Sequence, residues 1–330
     1  MSEETEQSDT QNYQKEATRG WIFSLKNLSP RMQMVFLGLS IMISASVFTL
    51  LGALLGSSIF GISIIDNPDI LNQVNEPNVV SALKLMQIFQ HLGLFIAPAL
   101  LFAYMFGNKI QDYLRINRNP LPLTYLLAAL IMLLALPVVN WMITLNEAMV
   151  LPEFLAGVEE WMKQAEESAT GITEKFLIMD STGDLVVNLL MIAILPAIGE
   201  ELLFRGVIQR ILISWTKNIH WGVWISAILF SAMHMQFYGF LPRMMLGVLF
   251  GYLFVWSGSL LLPMFCHLIN NGAAVIFAYL SGIDELIAQE GELAATTYET
   301  LFTLASAITI AGLLYLIYKK EKANGQPIEV

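Results

Sequence analysis

Long apolar runs recur along almost the whole 330-residue chain, and they constrain its fold more than any other feature. Each run approaches 20 residues, which is the length an α-helix needs to cross roughly 30 Å of hydrocarbon. Charged residues make up only 13% of the sequence, against about 25% in an average soluble domain. The sequence therefore predicts an all-α fold, a polytopic transmembrane helical bundle.

Eight membrane spans are predicted, and the first and the fourth are longer than one crossing requires. Pro196 is expected to kink the fourth span. The predicted spans cover approximately residues 33–63, 82–106, 122–145, 184–214, 219–236, 241–256, 260–280 and 298–318.

These spans divide the chain into five segments. They are a polar, acidic tail without a signal-peptide pattern (1–20), the first three spans (21–145), an acidic stretch with helical character near 158–167 (146–183), four further spans (184–280), and the last span with a basic tail (281–330). The first segment is expected to be disordered, because it has too little apolar surface to form a core.

The distribution of basic residues predicts the orientation in the membrane. With the N-terminus inside, 13 of the 17 Lys and Arg residues lie on the cytoplasmic side, as the positive-inside rule requires. Lys84, Lys163, Lys175 and Arg243 remain outside. Both termini are then cytoplasmic, segment 146–183 is extracytoplasmic, and a bacterial plasma membrane is the expected location, with lipid as the surrounding partner.

Charge and cysteine content exclude several classes of function. The net charge of −10 leaves no basic stripe to neutralise the phosphates of a nucleic acid. The single cysteine, Cys266, excludes an intrachain disulfide and a Cys-based zinc site, and it is interpreted as a small core residue. No pattern in the sequence indicates an oligomeric state.

The first cluster of ionisable residues inside the predicted spans is LPAIGEELLFRG. Each such residue costs roughly 2.5–3.5 kcal/mol on insertion scales, so it indicates function. Glu201 and Arg205 are four positions apart, which favours an ion pair on one helical face. Glu200 points about 100° away and stays free of that pair. A purely structural charge network is the alternative interpretation.

Two further polar pairs lie on later spans. Phe230 and His234 are four positions apart, and so are His267 and Asn271, whose imidazole and amide both donate hydrogen bonds toward one point. His234 alone is equally compatible with hydrogen bonding between helices. His91 is interpreted as a helix-packing residue, on one polar stripe of the second span. Gly247 and Gly251 predict a close helix–helix contact.

The motifs EExxxR, FxxxH and HxxxN, in this order, resemble those of the CAAX prenyl protease type II family, also called the CPBP or Abi group of intramembrane endopeptidases. Here they are Glu200-Glu201-xxx-Arg205, Phe230-xxx-His234 and His267-xxx-Asn271. The resemblance covers approximately residues 184–280, whereas the first three spans are similar only in being hydrophobic.

The resemblance implies hydrolysis of a peptide bond near the membrane by a water molecule that a glutamate activates. It implies that Glu200 is the general base, that His234 holds the water, and that His267 and Asn271 stabilise the oxyanion. Glu201, Arg205 and Phe230 would support the site. Prenylated CAAX-type peptides and bacteriocin-like peptides are the implied substrates.

The metal requirement stays open at this stage. Glu200, His234 and His267 also match the donor types of a zinc site with one open position. The metal-free mechanism is favoured, because the HExxH motif of zinc metalloproteases is absent. In either case no further cofactor is expected.

Two other classes of function remain as alternatives. The chain could be a non-proteolytic membrane scaffold or bacteriocin-immunity protein in which the polar clusters only pack. A transporter is the third possibility, although no inverted repeat is apparent.

One expectation conflicts with the catalytic hypothesis. Counting 1.5 Å per residue from the predicted span ends places His234 about 12 Å deeper in the membrane than His267. A shared water molecule requires hydrogen-bond distances to both. We therefore expect the predicted span boundaries to be inaccurate and the cluster to form. The cavity around it is expected in the cytoplasmic half of the membrane, open to the cytoplasm and laterally to lipid.

Overall fold

The computed structural model describes residues 26–149, 151–282 and 297–324. Within these residues the chain is a bundle of helices, and the predicted tail 1–20 lies outside them. The helices are α1 (Pro30–Phe60), α2 (Pro77–Phe106), α3 (Ile110–Leu114), α4 (Pro122–Glu147), α5 (Ala156–Leu177), α6 (Thr182–Thr216), α7 (Ile219–Met233), α8 (Phe240–Ser257), α9 (Leu261–Ser281) and α10 (Thr297–Ala323). The polytopic helical bundle predicted from the sequence is confirmed.

Prolines and capping side chains mark where the helices begin. Pro30, Pro77 and Pro122 each stand in the first turn, where the missing N–H would have no partner in any case. Ser181 and Asp184 form a capping box at the start of α6. These local signals explain why the helix starts fall close to the predicted span starts.

Seven of the described helices are long and apolar enough to cross a membrane. The first and fourth predicted spans are the long helices expected, with 31 residues in α1 and 35 in α6. The predicted fifth span, 219–236, is the shorter helix α7, with 15 residues. It ends at Met233 because His234 occupies the C-cap position and Met235 has a positive φ of 55°.

The basic ends of several helices lie together at one end of the bundle, which we call the basic end. Lys26 Nζ donates to Asn108 Oδ1 at 2.7 Å, and the guanidinium of Arg31 lies 5.7 Å from the ring centre of Trp215. The backbone N–H just before α4 donates to Oε1 of Glu321, near the end of α10, at 3.1 Å. The segments that the positive-inside rule assigns to the cytoplasm thus lie at the same end of the helical bundle.

Helix α8 approaches α7 closely through two glycines. A Cβ atom added at Gly247 would lie 3.1 Å from Ala227 Cβ, and one added at Gly251 would lie 2.9 Å from Val223 Cγ1. These distances confirm the helix–helix contact predicted from GxxxG. Gly247 also presents its carbonyl oxygen to Arg205 at 3.2 Å, so the close contact brings α8 to the polar cluster.

Three π-helical segments, each with a wider turn than an α-helix, interrupt α2 and α6. They are Leu92–Ile96, Leu189–Ile194 and Phe204–Ile208. Pro98 and Pro196 follow the first two at short distance. A proline withholds the N–H that a preceding carbonyl would accept, so it releases carbonyl groups for other partners. The first begins directly after His91, the second lies shortly before Glu200, and the third contains Arg205.

Candidate active site

Glu201 and Arg205 form the ion pair that their spacing on α6 predicts. Arg205 Nη1 donates to Glu201 Oε1 at 2.6 Å, and both side chains are almost fully buried. The guanidinium also lies 4.6 Å from the ring centre of Phe230 and 5.5 Å from that of Phe250. This arrangement holds Arg205 on three sides and neutralises one of the two adjacent carboxylates.

Glu200 points away from this pair, as the helical geometry predicts. Its side chain is 6% exposed, and its Oε1 lies 3.2 Å from Nε2 of His91. Its Oε2 lies 3.9 Å from Nε2 of His267, which is beyond a direct hydrogen bond. One carboxylate oxygen is therefore held by an imidazole, and the other faces a second imidazole across a gap.

His91, which the sequence indicates as a helix-packing residue, also contacts Glu200. It is buried in α2, against the ring of Phe95 at 4.9 Å between ring centres. Sequence reasoning missed the contact with Glu200 because it spans 109 positions and lies on a helix without a recognised motif. The available signal was a polar stripe, Lys84–Gln87–His91, inside an apolar span.

His267 joins the two carboxylates of α6. Its Nδ1 lies 2.9 Å from Glu201 Oε1, while its Nε2 faces Glu200 Oε2. A carboxylate accepts hydrogen bonds, so Nδ1 carries a proton. The ring stacks on Phe250, with ring centres 5.5 Å apart. A carboxylate that holds Nδ1 of a histidine orients the ring, as in other hydrolytic sites.

His234 faces the same cluster from the end of α7. Its Nδ1 lies 2.9 Å from the backbone oxygen of Phe230, and a carbonyl only accepts, so Nδ1–H is the donor. In the neutral ring Nε2 is then an acceptor. The ring of Phe230 lies 5.1 Å from His234 and 6.1 Å from His267, measured between ring centres, and so contacts both imidazoles.

This placement resolves the conflict over membrane depth. Phe230 is in contact with both imidazoles, and Nε2 of His267 lies 3.9 Å from Glu200 Oε2. The ring of His234 turns back along α7 to the carbonyl of Phe230. Counting residues from assumed span ends gave the wrong depth for the His234 side chain. The helix α7 is shorter than the predicted span, and the side chain lies at a different depth from its own backbone.

Asn271 lies one turn after His267 on α9, but its amide contacts a backbone oxygen of α6 and not the carboxylates of the cluster. Its Nδ2 donates to the backbone oxygen of Ile192 at 2.9 Å. Ile192 is four residues before Pro196, which lacks the N–H that this oxygen would accept in a regular α-helix. Asn271 therefore satisfies the carbonyl that the proline releases, and it retains a second amide hydrogen.

The turn that follows His234 is held from outside the motif segment. Asn146, at the end of α4, donates to the backbone oxygen of Phe237 at 2.8 Å and accepts from the N–H of Leu241 at 2.7 Å. Helix α5 confirms the helix predicted near 158–167. Its Glu166 accepts from the N–H of Tyr238 at 3.1 Å.

Replacing Asn146 by alanine removes both hydrogen bonds to this turn. We expect a loss of roughly 1–3 kcal/mol in the free energy of unfolding, because buried backbone groups lose their partners. Denaturation in detergent measures this loss. Asn140→Ala, on the same helix but outside the turn contact, is the control. Equal stabilities of the two variants would contradict the role of Asn146.

Among the described residues, no group of three or more His, Cys, Asp or Glu side chains has the geometry to hold a metal ion. Glu200, His234 and His267 are among these residues. We derive no step through a metal.

A comparison with known protein families concerns the same part of the chain. Residues 182–273 match the family model "Type II CAAX prenyl endopeptidase Rce1-like". No solved structure matches significantly.

Two curated proteins are similar to part of the chain. "Uncharacterized protein YpbD" from Bacillus subtilis (strain 168) is 28% identical over 116 residues, which are 34% of this chain and 54% of that protein. "Uncharacterized 24.3 kDa protein" from Escherichia coli is 32% identical over 103 residues, 29% of this chain and 46% of that protein. The chain spans about half the length of the curated relatives it matches.

The family match begins at the start of α6 and ends in α9, so it contains all three motifs. Glu200, His234 and His267 all lie inside it. By this match, residues 182–273 are similar to the Rce1-like type II CAAX prenyl endopeptidases.

Proposed function

We propose that this protein is an intramembrane endopeptidase of CAAX-protease type that uses Glu200 as the general base. The observation that carries the proposal is the environment of the Glu200 carboxylate. It is buried, it is not claimed by Arg205, and one of its oxygens faces His267 across a 3.9 Å gap. A general base needs such a free oxygen within reach of a water molecule.

The proposed reaction consumes one water molecule per peptide bond. Glu200 Oε2 takes a proton from the water, and the water oxygen forms a bond to the peptide carbon. The carbonyl π electrons move to its oxygen and give a tetrahedral oxyanion. As the oxyanion collapses, the C–N bond breaks, and the proton on Glu200 passes to the leaving amine. Acid and amine products result, and the enzyme is regenerated without a metal.

The two other motif histidines have separate proposed roles. His234, with Nδ1–H bonded to the Phe230 carbonyl, presents Nε2 to accept a hydrogen bond from the water. His267 is held at Nδ1 by Glu201 Oε1, and it is the proposed residue that donates from Nε2 to the developing oxyanion when both ring nitrogens carry a proton.

Asn271 is the second proposed oxyanion donor. Asn271→Ala should lower kcat by roughly 10²–10³, the usual cost of one such donor, with little change in KM. Asn140→Ala, on α4 and outside the three motifs, is the control. Steady-state kinetics on a defined peptide measures both variants. A large rise in KM at unchanged kcat would indicate binding instead.

The substrate class and sidedness extend the same proposal. A prenylated C-terminal peptide is the first substrate to test, because the matched family model is described as a CAAX prenyl endopeptidase. A bacteriocin-like peptide is the second. We propose that the basic end is cytoplasmic, which places both termini there by the positive-inside rule. Labelling of cysteines introduced beside Lys109 and into α5 measures the sidedness.

Purified protein in liposomes provides the direct test. Wild-type protein should cleave the peptide into acid and amine fragments by mass spectrometry, whereas Glu200→Gln should leave it intact. Activity should persist after metal chelation. Absence of cleavage by the wild type, with both peptide classes, would favour a scaffold, an immunity protein or a transporter. Loss of activity on chelation with recovery on adding zinc would contradict the metal-free mechanism.

A further inference from the structure

His91 contacts the proposed base from a helix outside the matched family segment. It lies on α2, whereas the family match covers residues 182–273. Its Nε2 is 3.2 Å from Glu200 Oε1, and the two side chains are 10% and 6% exposed. A buried imidazole at this distance from a carboxylate makes a hydrogen bond that water cannot easily replace.

We infer that His91 is a positioning residue that donates its Nε2–H to Glu200 Oε1. The donation fixes the rotation of the carboxylate and leaves Oε2 as the atom that takes the proton from water. This inference rests on the proposed function of Glu200. It extends the site to α2, so a helix outside the matched family segment helps to position the base.

Close packing of α2 on α6 explains why His91 reaches Glu200. A Cβ atom added at Gly199 would lie 3.0 Å from both Phe95 Cβ and Ile96 Cγ1. The glycine next to Glu200 thus allows the backbone of α6 to approach α2. The π segment Leu92–Ile96 starts directly after His91 and widens the turn at this contact.

The geometry of Glu200 distinguishes positioning from simple packing. Its two carboxylate oxygens have different neighbours, with His91 at Oε1 and His267 at Oε2. Without a donor at Oε1 the plane of the carboxylate is free to rotate, and neither oxygen keeps a fixed direction toward the water. A packing role would depend on the ring of His91 against Phe95, and a ring without nitrogen would fulfil it equally well.

Two substitutions at this position separate the two roles. His91→Phe keeps an aromatic ring beside Phe95 but has no donor. His91→Gln loses the ring but places an amide N–H at a similar reach. Gln87→Leu, one turn earlier on the same stripe, is the matched control for a polar-to-apolar change on α2. All variants are purified as full-length protein in liposomes, beside wild type and Glu200→Gln.

We expect His91→Phe to lower kcat by roughly 10–100-fold, as loss of an orienting partner typically does, with KM nearly unchanged. His91→Gln should recover most of this loss, and Gln87→Leu should match wild type. Wild-type kinetics in His91→Phe would overturn the inference. So would a His91→Gln variant that is folded but as slow as His91→Phe. An inactive wild type would instead refute the proposed function itself.

Discussion

Glu200→Gln is expected to reduce peptide cleavage to below about 1% of the wild-type value, because a positioned general base contributes roughly 10²–10⁴-fold. The amide has nearly the same size, so it can still accept from His91, but it cannot take a proton from water. Helix content and elution as a single species should be unchanged. The measurement is product formation in liposomes at saturating peptide.

The matched control is Glu167→Gln on α5. Glu167 is an exposed glutamate that belongs to none of the three motifs. This control should leave turnover unchanged. Near wild-type turnover in Glu200→Gln would refute Glu200 as the base. If Glu200→Gln is inactive, the natural substrate is the membrane peptide that accumulates uncut in cells with this variant. Mass spectrometry of membrane peptides from these cells and from cells with wild-type protein identifies it.

Arg205→Met is expected to cause the largest loss of stability, roughly 3–5 kcal/mol, because it leaves the buried Glu201 without its charge partner. The pair is fully enclosed, with side chains 1% and 0% exposed. The double variant Glu201→Met/Arg205→Met should recover part of the loss, since no unpaired charge then remains. Reversible unfolding in mixed detergent measures the free energies.

The chain offers a matched control for this pair. Lys163 and Glu159 on α5 have the same spacing of four residues and a contact of 2.9 Å, but their side chains are 49% and 22% exposed. Lys163→Met should therefore produce no measurable change in stability. An Arg205→Met variant as stable as Lys163→Met would contradict the structural role of the buried pair.

The sequence alone determined the features that depend on a single helix. Span lengths follow from the hydrocarbon thickness, which is why α1, α2, α4, α6, α8, α9 and α10 agree with the predicted spans. The Glu201–Arg205 pair follows from the spacing of four residues, which places both side chains on one face. The separate direction of Glu200 follows from the same periodicity.

Relations between helices were determined only by the tertiary structure. The contact of His91 with Glu200, the position of His267 between two carboxylates, and the bond from Asn271 to the Ile192 carbonyl all join different helices. They depend on helix tilt, on π segments and on the close approach at Gly199. Hydrophobic periodicity carries no information on these quantities, because every lipid-facing or packed apolar surface satisfies it equally.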